Sequence, residues 1–170
     1  MGGASKPCID FAIRDARPED SELILEFIIK LASYDREGDK VIASADDIRR
    51  SLFDRKEAEV VIGAENGSPV AFAVYYQNYS TFLGRANLYL EDLFVEERCR
   101  GKGYGTAMLR HLARIAVRRG GERLDWLCLD FNVEAIDFYK SLGAMVIDDR
   151  RVFGVHGAAL RRLAGQGLNP

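Results

Sequence analysis

Few segments narrow the choice of fold as sharply as Leu88 to Thr106. The apolar run Leu88-Tyr89-Leu90-Glu91-Asp92-Leu93-Phe94-Val95 reads as a strand carrying two acids, and Glu96 to Arg100 form a polar, basic turn. Gly101, Gly103 and Gly105 then alternate with Lys102 and Tyr104, and a helix is expected from Thr106. Glycines at alternate positions let the backbone turn tightly and bring bare N–H groups close to a ligand. The helix that follows adds unsatisfied N–H groups and the positive end of its dipole. Arg98, Arg100 and Lys102 place mobile positive charge at the same spot. Such a turn suits a pyrophosphate, so the chain is expected to hold a phosphorylated cofactor.

Spacing separates the known kinds of glycine turn. A P-loop needs four residues between its first glycine and Gly-Lys-Ser/Thr, and no such run occurs. A dinucleotide fingerprint needs G-x-G-x-x-G directly after a strand. Here the order is G-x-G-x-G, and polar residues Glu96 to Arg100 intervene. An acid, Asp125, does lie about twenty positions on, where a ribose-binding acid would sit in that fingerprint, but a second strand–glycine–helix unit is absent.

The bulk numbers remove other classes. At 170 residues the chain can bury a continuous core without staples. Its net charge of −2 argues against a nucleic-acid binder. No run of 18 apolar residues exists, so no membrane association is expected. The three cysteines, Cys8, Cys99 and Cys128, lack metal-ligand spacing among themselves or with His111 and His156. No metal site is expected, and the free thiols suit a cytoplasmic location.

The remaining pattern alternates strands and helices. Residues 1–9 read as a flexible leader, 10–165 as one α/β domain and 166–170 as a tail. A strand at 10–15 precedes a helix opened by Pro18-Glu19-Asp20, with Ile24, Phe27, Ile28 and Leu31 at helical spacing. Ser44 is an N-cap candidate for a second helix. Residues 59–65 and 69–77 read as strands joined by Asn66-Gly67, a strong hairpin signal. A helix over 106–119, a strand over 124–129 and a helix over 133–142 closed by Gly143 follow. Residues 144–147 and 151–155 are expected to pair as terminal strands, before a short helix from about Gly157. Hairpin strands followed by strand–helix units imply a single-domain mixed, mostly antiparallel sheet with helices on both faces.

Ligands in such sheets bind where strands end and helices begin. The first such place is Leu93 to Thr106. The second is Asp130-Phe131-Asn132-Val133-Glu134-Ala135, leading to Phe138-Tyr139-Lys140 and Leu142-Gly143. Arg100-x-x-Gly103-x-Gly105 between strand and helix, with Asn132 and Phe138-Tyr139-Lys140 after it, resembles the GCN5-related N-acetyltransferase (GNAT) family. Leu88 to Val95, Arg100-Gly101-x-Gly103-x-Gly105, Phe138-Tyr139-Lys140-x-x-Gly143-Ala144, Phe11-x-Ile13-Arg14 and Leu31-Ala32-x-Tyr34-Asp35 are similar to its diamine, or spermidine/spermine, branch. The likeness runs from about Phe11 to Ala164. It departs at Arg150-Arg151, where branch members commonly carry tryptophan, and at Gly154, where a basic residue is frequent.

The resemblance implies a fold, a cofactor and roles. Acetyl-CoA would be held by Leu93, Phe94, Val95, Arg100, Gly101, Lys102, Gly103, Tyr104, Gly105 and Thr106, and by Asn132, Val133, Glu134, Ala135 and Tyr139. A homodimer is implied through the terminal strands. The acceptor would be a small-molecule amine, with Tyr34, Asp35, Glu91, Asp125, Trp126, Leu127 and Asp149 in contact with it. In the family the tyrosine usually protonates the departing thiolate, a role that falls on Tyr139.

Chemistry supports the same assignment at Glu91. An alkylamine with pKa near ~10.4 is protonated at neutral pH, so its attack needs a proton acceptor. Burial of Glu91 in the apolar strand would raise its pKa and suit it to relay that proton, directly or through water. Strand alternation would send Asp92 to the opposite face. An edge-strand acid facing solvent and a tyrosine merely packing beside Phe138 are the structural alternatives. Cys128 and Cys99 lack a neighbouring histidine, which favours direct attack over a covalent route. Other acceptors remain open: thialysine, lysine or a protein amine. So does an acyl-CoA sensor without catalysis.

Overall fold

The computed structural model describes residues 10–166, so the expected leader and nearly all of the expected tail lie outside the described residues. The chain divides into two compact units, one ending at Asn132 and the other beginning at Val133.

The first unit is built on a five-stranded sheet in the order β1-β2-β3-β4-β5. Its strands are β1 (Phe11–Asp15), β2 (Glu59–Glu65), β3 (Ser68–Ser80), β4 (Arg85–Val95) and β5 (Leu124–Trp126). All neighbouring pairs are antiparallel except β4 and β5. Asn66 and Gly67 both take positive φ (50° and 82°), the two left-handed steps of a type I′ turn between β2 and β3.

Helix α1 (Ser21–Tyr34) and the short α2 (Ala45–Arg49) lie between β1 and β2 in sequence. Ser44 caps α2: its hydroxyl accepts from Asp47 N–H, and the Asp47 side chain returns a bond to Ser44 N–H. The chain then continues through a wider π turn, Arg50–Asp54. Helix α1 buries Ile24 and Phe27 against Val60, Ile62, Phe72, Val74 and Phe94, all on one face of the sheet. Phe27 stacks on Phe72 with centroids 5.3 Å apart. Removing a ring so buried costs about 3–5 kcal/mol.

The opposite face is covered by α3 (Tyr104–Arg118), which buries Met108, Leu109, Leu112 and Ile115. A Cβ added at Gly63, next to Ile62 and so on that second face, would come within 3.1 Å of Met108 Sδ. Helices therefore cover both faces, as the alternation of elements implied. Asn87, buried in β4, ties the edge: its Oδ1 accepts from Glu122 N–H and Arg123 N–H at 3.0 and 3.1 Å. That anchor starts β5 beside β4, but the strand ends at Trp126 rather than reaching Leu129 as expected.

The second unit holds α4 (Val133–Ser141) and α5 (Gly157–Leu163). Gly143, at φ 88°, closes α4: Ala144 N–H bonds to Tyr139 C=O and Gly143 N–H to Lys140 C=O. The expected strands over 144–147 and 151–155 do not form. Their composition suits strands, but among the described residues no backbone ladder joins them, and Met145 and Phe153 stand 88% and 89% exposed. No described helix is long and apolar enough to cross a membrane.

Candidate active site

The basic turn is a constructed element. After β4 a single 3₁₀ turn, Glu97–Cys99, brings the chain round to Gly101 and Gly103. Both take positive φ (74° and 85°), and Gly103 is the N-cap of α3. Nothing lies within 4 Å of a Cβ built on either glycine, so the space beside them is open. No acid occupies the first turn of α3. Bare N–H groups, a helix N-terminus and open space fit an anionic diphosphate, as the glycine spacing implied.

The cations of the turn are tethered. Lys102 Nζ lies 2.7 Å from Glu65 Oε1, and the Tyr104 hydroxyl donates to the same oxygen at 2.5 Å. Arg98 reaches Glu65 at 4.0 Å. The Lys102 and Tyr104 bonds hold the Glu65 carboxyl below its ordinary value. Desolvation, with Glu65 beside it, pushes the Tyr104 phenol up to about 12. Arg100 takes another path: Nε donates to Val95 C=O at 3.3 Å, and its guanidinium covers the Tyr34 ring at 4.5 Å. The Tyr34 hydroxyl in turn lies 3.5 Å from Asn132 Oδ1. The end of α1 thus touches both turns singled out in the sequence.

Beside this basic edge lies an acidic zone centred on β4. Asp92 pairs with Val74 while Leu90 pairs with Tyr75, which leaves Glu91 as the extra residue of a β-bulge. The bulge resets the alternation, so Asp92 sits opposite Val74, a residue of the α1-side core. Alternation from Asp92 to Phe94 stays regular, and it is the burial expected at Glu91 that is corrected. Glu91 is exposed, and Asp92 is the acid enclosed by protein. Burial, then the charges of Glu91 and Asp35, pushes the Asp92 carboxyl up to about 6. Asp35 is itself raised, by burial and then by Glu37. Glu91 also helps to raise the Tyr76 and Tyr89 phenols, whose rings sit 5.1 Å apart, after their burial.

A strand edge runs through this zone. Strand β5 pairs with β4 only from Leu88 to Leu90. From Glu91 to Val95, β4 has no second strand beside it among the described residues. An edge of that kind accepts an extended chain by β-addition. No sequence pattern encodes where the β4–β5 pairing stops.

The other expected contacts divide. The Phe94 side chain is committed to the core against Phe27, at 5.8 Å, which leaves its backbone for a ligand. Val95 packs against the cluster of Val70, Cys99 and Tyr104, while Leu93 is half-buried. Asp125 is engaged by Arg123 at 2.5 Å, which weakens the expectation that it offers charge to a substrate. Trp126 lies in the ladder opposite Leu90, and Leu127 is exposed. Burial, then Asp35 and Asp130, raises the Cys128 thiol, the reverse of what a nucleophilic cysteine needs. Among the described residues no group of three His, Cys, Asp or Glu side chains is placed to hold a metal.

In the second unit, Val133, Glu134 and Ala135 form the first turn of α4, and Tyr139 follows one face on, its ring 5.3 Å from that of Phe138. Asp149 lies there too, exposed and 3.6 Å from Arg150. Sequence reasoning missed two residues. Asp92 was placed on the face opposite Glu91 and given no role, because alternation alone does not tell which of the two acids is enclosed. Glu65 is 37 positions from Lys102, in a different strand, and only the hairpin signal of Asn66-Gly67 bears on where it ends up.

Comparison with known proteins gives a consistent result. The acetyltransferase (GNAT) family model matches residues 25–144. The chain is 35% identical over 166 residues to the thialysine N-epsilon-acetyltransferase of Bos taurus, covering 91% of this chain and 97% of that protein. It is 32% identical over 143 residues to spermidine/spermine N(1)-acetyltransferase-like protein 1 of Homo sapiens, covering 79% of this chain and 20% of that protein. Among solved structures, an integron cassette protein from the mobile metagenome of V. cholerae matches with a TM-score of 0.77 at 30% identity, covering 91% of this chain and 97% of that one.

Proposed function

This chain belongs to the acetyltransferase (GNAT) family, and on that premise we propose that it transfers acetyl from acetyl-CoA to a primary amine of a small diamine or polyamine. One observation carries the choice of acceptor. Asp35 and Glu91 both act on the buried Asp92, beside the stretch of β4 that β5 does not pair with. Three acids held together this way favour a ligand bearing more than one positive charge.

Bound acetyl-CoA supplies the activated thioester. Gly101, Gly103 and the α3 N-terminus would hold its diphosphate, and the β4 edge would hold its extended arm. A backbone N–H near Val95 would polarise the thioester carbonyl. Asp35 and Asp92 would bind the acceptor's distal ammonium and turn the near amine toward that carbonyl. Glu91, in contact with water, would take the amine's proton through it, so that the free lone pair attacks directly. Tyr139 would return a proton to the departing thiolate, whose conjugate acid has a pKa near ~8.5. Cys128, with its raised thiol pKa, stays outside the reaction.

A second reading has its own support. A relative covering nearly the whole chain is a thialysine N-epsilon-acetyltransferase. Arg36, which follows Asp35, takes φ 61° and rests its guanidinium 5.3 Å from the Phe131 ring. It has no carboxylate partner among the described residues. An amino-acid acceptor would bring one. With either acceptor a homodimer is proposed, supported by the exposed Met145, Val146, Ile147, Val152 and Phe153. The free thiols of Cys99 and Cys128 support a reducing, cytoplasmic location.

Thiol release from acetyl-CoA against putrescine, spermidine, spermine, thialysine, lysine and a lysine peptide tests the proposal. Turnover with a diamine or polyamine supports it. Turnover with thialysine or lysine alone moves the assignment to the second reading. Tight acetyl-CoA binding with no turnover on any amine would replace both with a sensor.

A further inference from the structure

The acid that grips the basic turn has no part in the chemistry above, yet its side chain is only 13% exposed and its recorded partners all lie in that turn. We infer that Glu65 is a positioning residue for acetyl-CoA, pre-forming the segment from Arg98 to Tyr104 that receives the diphosphate; the inference rests on the functional reading just given.

The mount is rigid. Glu65 ends β2 and is paired on both sides, with Phe11 of β1 and Ser68 of β3. From this fixed point Oε1 accepts from Lys102 Nζ at 2.7 Å and from the Tyr104 hydroxyl at 2.5 Å. Oε2 accepts from Cys99 Sγ at 3.7 Å and faces Arg98 at 4.0 Å. The Tyr104 ring is pressed on Phe11 with centroids 4.0 Å apart and planes 5° from parallel. One carboxylate therefore holds the turn before, between and after Gly101 and Gly103. Without it, a stretch with two left-handed glycines has every reason to wander, because glycine loses the most freedom on ordering.

A carboxylate beside an anion site also has an opposing effect, since it repels phosphate and occupies Lys102. The repulsion is small, because Lys102 and Arg98 neutralise the charge at contact distance and solvent screens what remains. Ordering of the turn is the larger effect, so loss of Glu65 weakens the cofactor rather than freeing Lys102 to improve it.

The test compares acetyl-CoA with S-acetylpantetheine, which lacks the diphosphate, on the wild type and on Glu65→Ala, Glu65→Gln and Tyr104→Phe. The wild type should prefer acetyl-CoA. Glu65→Ala should raise the Kd of acetyl-CoA about tenfold, the scale of one charge-assisted hydrogen bond, and leave S-acetylpantetheine unchanged. Its kcat at saturating acetyl-CoA should stay within about twofold, since no group touching the reacting atoms is altered. Glu65→Gln still offers Oε1 to both donors and should recover most of the affinity. Tyr104→Phe removes one donor without stranding a charge and should shift the Kd in the same direction, about threefold. Unchanged or tighter acetyl-CoA binding by Glu65→Ala and Tyr104→Phe would overturn the inference. So would an equal loss for both ligands, which marks a general effect on the fold. A wild type that does not bind acetyl-CoA overturns the functional reading itself, and the inference with it.

Discussion

In the turn from Arg98 to Tyr104 every recorded charge contact joins a cation to an acid or a ring, whereas around the β4 bulge acids meet acids. Lys102 and Arg98 close on Glu65, and Arg100 lies over Tyr34. Asp92, a few residues upstream, is pushed up to about 6 by burial first and then by Glu91 and Asp35. The two regions differ in what they still need. The cations of the turn are met by Glu65 of β2 and by the Tyr34 ring, and the turn offers its backbone N–H groups. The acidic zone places like charges together, which is the ground for the proposed preference for an acceptor with more than one positive charge, whereas the turn carries no such preference.

The largest effect expected on the turn is that of Gly103→Val. A β-branched side chain at φ 85° is strained and fills the open space where the diphosphate would lie, so acetyl-CoA affinity should fall on the order of 100-fold or more by calorimetry. Tyr139→Phe should lower kcat by about 100-fold, the lower end of general-acid contributions, with the Kd of acetyl-CoA unchanged. Unaltered turnover would remove Tyr139 as the acid.

Asp92→Asn turns the comparison into a stability measurement. Folding raises this acid from its ordinary 3.8 to about 6, so the native state binds the proton more tightly than the unfolded chain. The resulting penalty is absent below about pH 4, grows as pH rises toward 6 and is constant above it. At pH 7 its removal should stabilise the protein by up to ~3 kcal/mol and flatten the dependence of Tm on pH between 4 and 6. An unchanged pH dependence in the variant would place the proton elsewhere.

Smaller effects follow. Asp35→Asn should raise the KM of a diamine about tenfold while changing that of a monoamine little, since only the distal ammonium needs the second acid. Cys128→Ala should leave kcat within about twofold, and a larger loss would revive the covalent route.

The comparison also explains what could be read without coordinates. The glycine turn was legible because local backbone demands, positive φ at Gly101 and Gly103 and a helix start, leave a local pattern. The Asn66-Gly67 hairpin was legible for the same reason. The bulge at Glu91 was not, because one extra residue in β4 is defined only against the register of β3. Glu91, expected to be buried, is exposed, and Asp92 beside it is enclosed. Glu65 was hidden by distance along the chain. The strands expected over 144–155 show the converse: composition favoured them, but strands need partners that the described part of their unit does not provide.

The account stands most directly on the acidic zone's appetite for a second positive charge. The measurement is kcat/KM for putrescine against butylamine, equal in carbon number and different by one ammonium, with acetyl-CoA saturating. The expected result is a preference of about tenfold or more for the diamine that shrinks in Asp35→Asn and fades at high salt. Equal values for the two amines, insensitive to Asp35 and to salt, would contradict it.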